Sequence, residues 1–310
     1  MNELQISNNT EIKAVSFNKD LYNSWLNYLD SKPKTIETYT RAIRQFYKYL
    51  EENNITQPTR NDVINYRDYI NASHKATTTA SYLMAVKLFF QWLEQEGLYK
   101  DIAQHIKAPK IENSYKKDYL NAEQVKSLLA SVDTTDIKGL RDYAILALMI
   151  TTGLRDVEVM RANREDLGTV GGAKVLYIQG KGKDGKNNFV KLAKPVEETI
   201  KAYLKARGTK EASAPLFTST AHRNNNARLT TRSISRIVKG RLIEAGLDSD
   251  RLTAHSLRHT AGTLNLRAGA TLEETQQLLR HSNINTTMIY AHLLQREDNK
   301  SEERIASVIF

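Results

Sequence analysis

A short segment that is poor in apolar residues divides this 310-residue chain into two blocks of different pattern. The segment, residues 107–118, contains proline and several charged side chains and has no apolar periodicity, so it predicts a linker between two domains. Before it, apolar residues recur every three or four positions, which indicates packed helices. After it, helical patterns precede and follow a single strand–turn–strand pattern. The chain is long enough for two ordinary domains.

The first block predicts a bundle of four or five helices at residues 17–106. The polar stretch before it, residues 1–16, is expected to be flexible. Thr59 and Asp62 have the spacing of a capping box, which predicts the start of the third helix. Gly97 follows the fourth helical pattern as a C-cap.

The second block predicts a mixed domain at residues 119–296. Asn121 and Gln124 form another capping-box pattern, and the run 138–152 is apolar on most helical faces, which indicates a helix inside a core. Two strand patterns flank a turn rich in glycine and lysine, at residues 174–179 and 188–193. The predicted fold class is therefore mainly α with a small β-sheet (α+β), in which a helical bundle precedes a mixed α/β domain.

Composition favours a polyanionic partner. Lysine and arginine outnumber aspartate and glutamate by 45 to 35, giving a formal net charge of +10, and nucleic acid is the commonest partner of such chains. The absence of cysteine excludes disulfides and fits a reducing cytosol. Neither a signal peptide nor a bilayer-spanning run is visible, so a cytoplasmic location without a membrane partner is predicted. No P-loop, HExxH or EF-hand pattern occurs, and no metal or other cofactor is expected.

Side chains suited to phosphate chemistry are concentrated between residues 253 and 292. His255 and Arg258 stand three residues apart, so a helix would project them from one face. Arginine presents a planar fork of donors to phosphate oxygens, and histidine exchanges protons near neutral pH. A tyrosine hydroxyl such as that of Tyr290 becomes a nucleophile when the phosphate is clamped and the phenol proton is removed. Each residue alone is more commonly structural, but the combination is hard to obtain by chance.

The pattern resembles the C-terminal catalytic block of the tyrosine recombinases, the phage-integrase and Xer-like site-specific recombinases. The family pattern H-x-L-R-H, L-G-H and T-x-x-Y reads here as HSLRH at 255–259, LLRH at 278–281 and TTMIY at 286–290. Arg280 stands where the family usually has glycine. Two upstream segments also match, TGLRDVE at 152–158 and GKGKDGK at 180–186, although Val157 occupies a position that is often serine in the family.

The resemblance implies that Tyr290 attacks a DNA phosphate and forms a 3′-phosphotyrosyl bond, with no metal or nucleotide required. Two arginines would clamp the non-bridging oxygens, and a histidine would add a donor. His255 would act as general base and Lys181 as general acid toward the leaving 5′ oxygen. The expected catalytic residues are Arg155, Lys181, His255, Arg258, His281 and Tyr290, with Glu158 and His259 in support.

For Glu158 the alternative is an ordinary acid in the first turn of a helix, and for Lys181 it is a solvated basic turn that only contacts phosphates.

The resemblance also implies that the bundle is a core-binding domain that grips DNA. Hydroxyl and basic side chains in the runs TIETYTR and HKATTTAS suit contacts to backbone phosphates, although a solvated helix face has the same composition. The candidates in the bundle are Lys34, Thr35, Thr38, Tyr39, Arg41, Lys75, Thr77, Thr78, Thr79 and Lys87. In the second domain they are Lys183, Lys186, Arg232, Arg236 and Lys239.

The last expectations concern assembly and role. The tail, residues 297–310, ends in apolar side chains that need a cover. The resemblance predicts docking on a neighbouring subunit in a synaptic homotetramer on two double-stranded DNA sites, formed from monomers; the alternative is folding back on its own domain. Accessory DNA-bending or directionality proteins would be compatible with such an assembly as further partners.

The expected role is integration or excision of a mobile element, or resolution of replicon dimers. The competing functions are a type IB topoisomerase-like relaxing enzyme and a DNA-binding protein that retains the fold without catalysis.

Overall fold

The computed structural model describes residues 19–111, 118–180 and 185–310. The chain divides into two compact units, Met1–Ser114 and Tyr115–Phe310. The predicted flexible N-terminus, residues 1–16, and residues 112–117 of the predicted linker lie outside the described residues. Among the described helices, none is long and apolar enough to cross a membrane.

The described part of the first unit forms four helices, which accords with the periodic apolar pattern of its sequence. They are α1 (Lys19–Tyr28), α2 (Pro33–Glu52), α3 (Arg60–Ser73) and α4 (Ala76–Gln95). The capping box of Thr59 and Asp62 is present at the start of α3. The core is rich in aromatic rings that meet edge to face, such as Trp25 with Phe89 at 5.5 Å between ring centroids.

The second unit surrounds a small sheet with helices. In chain order its elements are α5 (Ala122–Ala130), α6 (Ile137–Thr152), α7 (Asp156–Arg161), β1 (Leu167–Val170), β2 (Ala173–Ile178), β3 (Asn188–Lys191), α8 (Lys194–Arg207), α9 (Thr231–Glu244), α10 (Ala254–Arg267), α11 (Leu272–Leu279), α12 (Asn285–Glu297) and α13 (Ser301–Ile309). The capping box of Asn121 and Gln124 is present at α5. The mainly helical fold class predicted from the sequence is confirmed.

The sheet is antiparallel with strand order β1-β2-β3. Strands β2 and β3 lie where the sequence predicts them, but β1 is an addition to the predicted pair. Its four residues are too few to give a periodic signal, and it is held by register pairs such as Leu167 with Leu176 in β2. Two glycines with positive φ, Gly171 and Gly172, make the tight turn between β1 and β2.

Helix α6 is the central support of the second unit. Its apolar side chains are buried as the sequence indicates, and it packs against α8 and α10. It also buries an ion-pair network, because the carboxylate of Asp142 accepts hydrogen bonds from both Arg141 and Arg241. This network joins α6 to α9 through charged groups that are removed from solvent.

The C-terminal helix α13 is exposed along its whole length. Its apolar side chains project into solvent, with Val308 86% exposed and Ile309 65% exposed. An exposed apolar face of this kind is unusual on a protein surface.

Candidate active site

Arg155 projects from a sharp turn between α6 and α7. The turn begins at Gly153, whose φ of +60° is accessible to glycine at little cost. Arg155 then caps α7: its backbone N–H donates to Glu158 Oε2 at 2.7 Å, and its Nη1 donates to Glu158 Oε1 at 3.1 Å. The Glu158 side chain is 1% exposed, whereas that of Arg155 is 28% exposed. A buried carboxylate therefore anchors a guanidinium that reaches the surface.

Arg258 is built into the interior of the unit. It lies on α10 and is 2% exposed. Its Nη1 donates to the carbonyl oxygen of Gly153 at 2.5 Å, and its Nη2 donates to the carbonyl oxygen of Leu279. Burial lowers the pKa of Arg258 to about 10, with Arg155 and Arg280 as neighbouring cations. Its guanidinium therefore stays charged at neutral pH and lies beside the turn that carries Arg155.

His281 and Tyr290 lie against each other. The Nδ1 atom of His281 is 2.9 Å from the hydroxyl of Thr287 in the first turn of α12. Burial and the nearby Arg258 and Arg155 lower the pKa of His281 to about 4, so its ring is neutral at pH 7. Tyr290 is 2% exposed; burial raises its pKa, and the cations Arg258 and Arg155 oppose that shift.

The two histidines of HSLRH take different places around this tyrosine. The ring of His259 lies 5.4 Å from the ring of Tyr290, centroid to centroid. His255 is exposed and meets His259 edge to face, with ring centroids 4.8 Å apart. The ring of His259 thus lies near both His255 and Tyr290, although the sequence analysis assigns the base to His255.

Arg280 contacts Glu158 and the end of α6, a role that the sequence does not predict. It has a φ of +56° and forms the C-cap of α11. Its guanidinium reaches Glu158 and the carbonyl oxygens at the end of α6. The only sequence signal for it is the arginine itself, in a position where the family usually has glycine.

The basic residues proposed for DNA contact in this unit fall into three groups. Lys181 and Lys183 lie outside the described residues. Lys186 forms an ion pair with both carboxylate oxygens of Asp166, at 2.7 and 2.6 Å, and Lys239 binds Asp248 at 2.9 Å. Arg232 and Arg236 on α9 are exposed.

Most candidates in the first unit lie near the N-terminal ends of α2 and α4, where helix dipoles favour anions, whereas Arg41 and Lys87 lie further along these helices. Lys34 and Arg41 both contact Glu37, and Thr79 is 1% exposed, so its hydroxyl faces the interior. The other candidates are exposed or half-buried, namely Thr35, Thr38, Tyr39, Lys75, Thr77, Thr78 and Lys87.

The described residues of the second unit therefore gather three arginines (Arg155, Arg258 and Arg280), three histidines and a tyrosine on neighbouring elements. Within the described ranges, no group of three or more histidine and acidic side chains could hold a metal ion. Such a cluster supplies cations, proton carriers and a hydroxyl nucleophile, which suits phosphoryl transfer to a tyrosine.

Comparison with known proteins defines the class. The family model described as "Phage integrase family" matches residues 118–297, and the one described as "Phage integrase, N-terminal SAM-like domain" matches residues 22–97. The chain belongs to the phage integrase family. It is a tyrosine recombinase, an enzyme of site-specific DNA recombination, as the motifs at 255–259 and 286–290 indicate.

Full-length relatives support this membership. The chain is 31% identical over 291 residues to tyrosine recombinase XerD of Listeria innocua, which covers 88% of this chain and 94% of the relative. It is 30% identical over 267 residues to tyrosine recombinase XerC of Pelobacter propionicus, with coverage of 84% and 85%.

Solved structures share the fold. XerH site-specific recombinase bound to a palindromic difH substrate, in a post-cleavage complex, matches with a TM-score of 0.70 and 21% identity, covering 96% of this chain and 90% of that one. A lambda integrase tetramer bound to a Holliday junction matches with a TM-score of 0.69 and 17% identity, covering 87% and 76%. At these identities the likeness concerns the fold alone.

Proposed function

We propose that this recombinase cuts and rejoins DNA strands through a covalent bond between Tyr290 and a 3′ phosphate. One observation carries the proposal: Arg258 and Tyr290 belong to a single cluster with Arg155 and His281. The guanidinium of Arg258 donates to the backbone on both sides of the cluster, at Gly153 and Leu279. The rings of His259 and His281 lie near the ring of Tyr290, with centroid separations of 5.4 and 6.3 Å.

The arginines act on the phosphate. Arg155 and Arg258 bind the non-bridging oxygens and stabilise the charge that grows on them as the fifth ligand approaches phosphorus. Because Arg258 is fixed by two backbone carbonyls, it needs no reorganisation when DNA binds. The neutral ring of His281 donates a further hydrogen bond to the same oxygens.

Proton transfer accompanies the exchange of oxygens at phosphorus. The Tyr290 oxygen forms a bond to phosphorus while the bond from phosphorus to the 5′ oxygen breaks. His255 takes the phenol proton, directly or through the neighbouring His259, and Lys181 gives a proton to the leaving 5′ oxygen. Rejoining runs these steps in reverse with a 5′ hydroxyl from the partner strand, so no bond energy is lost to water.

Tyr290 must become exposed before it attacks. At 2% exposure its hydroxyl has no room for a DNA strand, so α12 shifts when DNA is bound. The short contacts of α12 to its surroundings, including that of Thr287 with His281, are the ones that change.

The exposed C-terminal tail would connect the subunits of an assembly. The lambda integrase neighbour is a tetramer at a Holliday junction, and this chain would form a homotetramer on two duplex sites, with α13 docked on the adjacent subunit. Deleting residues 303–310 should abolish pairing of two DNA sites and leave binding to one site intact. Unchanged pairing would contradict docking in trans.

The decisive experiment traps the covalent intermediate. A pool of nicked duplexes with randomised sequence around the nick is incubated with the wild-type protein and with Tyr290→Phe, without metal, and resolved on a denaturing gel. We expect a protein–DNA adduct for the wild type alone, while Tyr290→Phe still retards DNA on a native gel. An adduct in the Tyr290→Phe lane would refute the nucleophile.

Duplexes recovered from the adduct band and sequenced give the preferred sites, and these selected sites address the biological role. Integration or excision of an element requires exchange between two different sequences, whereas resolution of replicon dimers requires exchange between two copies of one sequence. Relaxation of supercoiled plasmid that lacks any selected site would instead support a topoisomerase activity.

A further inference from the structure

Arg280 takes a backbone conformation that arginine rarely adopts. Its φ of +56° and ψ of +45° are left-handed, and a side chain with a Cβ atom crowds the neighbouring carbonyl there. Glycine, the usual residue of the family at this position, meets no such penalty. An arginine that tolerates this conformation needs side-chain contacts that favour it.

The guanidinium of Arg280 makes those contacts to three helices. Its Nη1 donates to the carbonyl oxygens of Leu278 at 2.7 Å and Thr152 at 3.3 Å, and its Nη2 donates to that of Gly153 at 3.3 Å. Its Nη2 also lies 3.1 Å from Glu158 Oε2. Its Nε is buried and has no acceptor among the described residues, so the Nη groups alone fix the side chain. One side chain thus joins the ends of α6 and α11 to the first turn of α7.

The contact with Glu158 changes the charge around Arg155. The carboxylate of Glu158 is buried and forms ion pairs with two arginines, Arg155 at 3.1 Å and Arg280 at 3.1 Å. When a buried charge loses one of its two ion-pair partners, its interaction with the remaining partner becomes stronger. Without Arg280, Glu158 and Arg155 would form a neutral pair, and the attraction of Arg155 to a phosphate would be reduced.

We propose that Arg280 is a positioning residue, which shares the negative charge of Glu158 and so leaves the guanidinium of Arg155 available to the DNA phosphate. Arg280 itself does not touch the phosphate. The inference rests on the proposed role of Arg155 as a phosphate clamp.

The test is a double-mutant cycle on the rate of covalent adduct formation at saturating duplex, with the nicked duplex recovered by selection. Arg280→Gly should slow adduct formation about 10- to 100-fold and change DNA affinity little, because a misplaced clamp acts on the reaction step. Glu158→Gln in the Arg280→Gly background should restore much of the rate, since a neutral amide no longer holds Arg155. Arg280→Lys should fall between Arg280→Gly and the wild type.

Two outcomes would overturn the proposal. The first is reaction of Arg280→Gly at the wild-type rate, and the second is a double variant that reacts no faster than Arg280→Gly, as a purely structural role requires. Should Arg280→Gly fail to fold, Arg280→Lys with and without Glu158→Gln gives the same comparison. Asn226→Gly is the matched control, because Asn226 is also left-handed, with a φ of +62°, and its backbone N–H donates to the carbonyl oxygen of Ser219 rather than to a residue of the cluster.

Arg155→Ala separates this inference from the function on which it rests. Normal adduct formation by Arg155→Ala would remove the clamp role and this inference together. If Arg155→Ala is inactive while Arg280→Gly is fully active, the inference about Arg280 is refuted and the clamp role of Arg155 stands. A second readout is the pKa of the His281 ring, which Arg280 helps to lower: NMR titration should show it higher in Arg280→Gly and still lowered in Arg280→Lys.

Discussion

The imidazole ring of His281 lies parallel to the phenol ring of Tyr290, with the planes 6° apart and the centroids separated by 6.3 Å. The same imidazole contacts Thr287 in the first turn of the helix that carries Tyr290. His281 therefore lies beside the proposed nucleophile and is hydrogen-bonded to α12, the helix that must move. Its protonation state influences both.

The first prediction concerns acid. The pKa of His281 is about 4 in the folded protein and 6.5 in a free side chain. Between these values the unfolded chain binds a proton that the folded chain does not, so the free energy of unfolding should fall as pH decreases from 6.5 toward 4. Urea unfolding at several pH values measures this loss. His281→Gln should weaken the pH dependence.

The second prediction concerns the turn before Arg155. A Cβ atom on Gly153 would lie 2.6 Å from Leu279 Cδ2, in addition to the strain of a φ of +60°. Gly153→Ala should lower the free energy of unfolding by about 2–4 kcal/mol and reduce adduct formation. Gly208→Ala is the matched control, because Gly208 has a φ of +75° and open space around it. It should cost only about 1 kcal/mol, from backbone strain. Equal losses in the two variants would show that the contact with Leu279 is unimportant.

The third prediction concerns the interior arginine. Arg258→Ala removes a donor from the carbonyl oxygens of Gly153 and Leu279 and opens a cavity, so it should destabilise the protein by about 2–4 kcal/mol as well as abolish adduct formation. Thermal or urea unfolding gives the stability. Arg232→Ala, on the exposed face of α9, should change stability by less than about 0.5 kcal/mol. A stable Arg258→Ala protein would contradict the structural half of this prediction.

The fourth prediction separates phosphate contacts from structural lysines. Each lost phosphate contact should reduce the salt dependence of DNA binding by about one unit of slope. We expect this for Arg232→Ala and Arg236→Ala. Lys186→Ala should instead mainly reduce stability, because it leaves the buried carboxylate of Asp166 without its cation. A lower salt slope with unchanged stability in Lys186→Ala would assign that lysine to DNA.

Local signals in the sequence were sufficient for much of the fold. The capping boxes at Thr59 and Asn121 involve residues three apart, and apolar periodicity gives the helices without knowledge of their neighbours. Strand β1 escaped prediction because its identity depends on pairing with β2 rather than on its own four residues.

The residues of the site divide in the same way, into those that local sequence predicts and those whose contacts depend on the fold. The candidates Arg258 and Tyr290 were identified from residue type and spacing in two short motifs, at 255–259 and 286–290. The partnership of Arg280 with Glu158 spans 122 positions of sequence, so only the folded chain brings the two together. For the same reason the place of His259 beside Tyr290 could not be read from spacing.

A long arginine side chain normally gives up about 2 kcal/mol of rotamer freedom when a ligand immobilises it. Arg258 gives up that freedom when the chain folds, since Gly153 and Leu279 already hold its guanidinium in the absence of DNA. The entropy of ordering this side chain therefore belongs to the thermodynamics of folding, and the entropy of binding the DNA phosphate should be correspondingly less unfavourable.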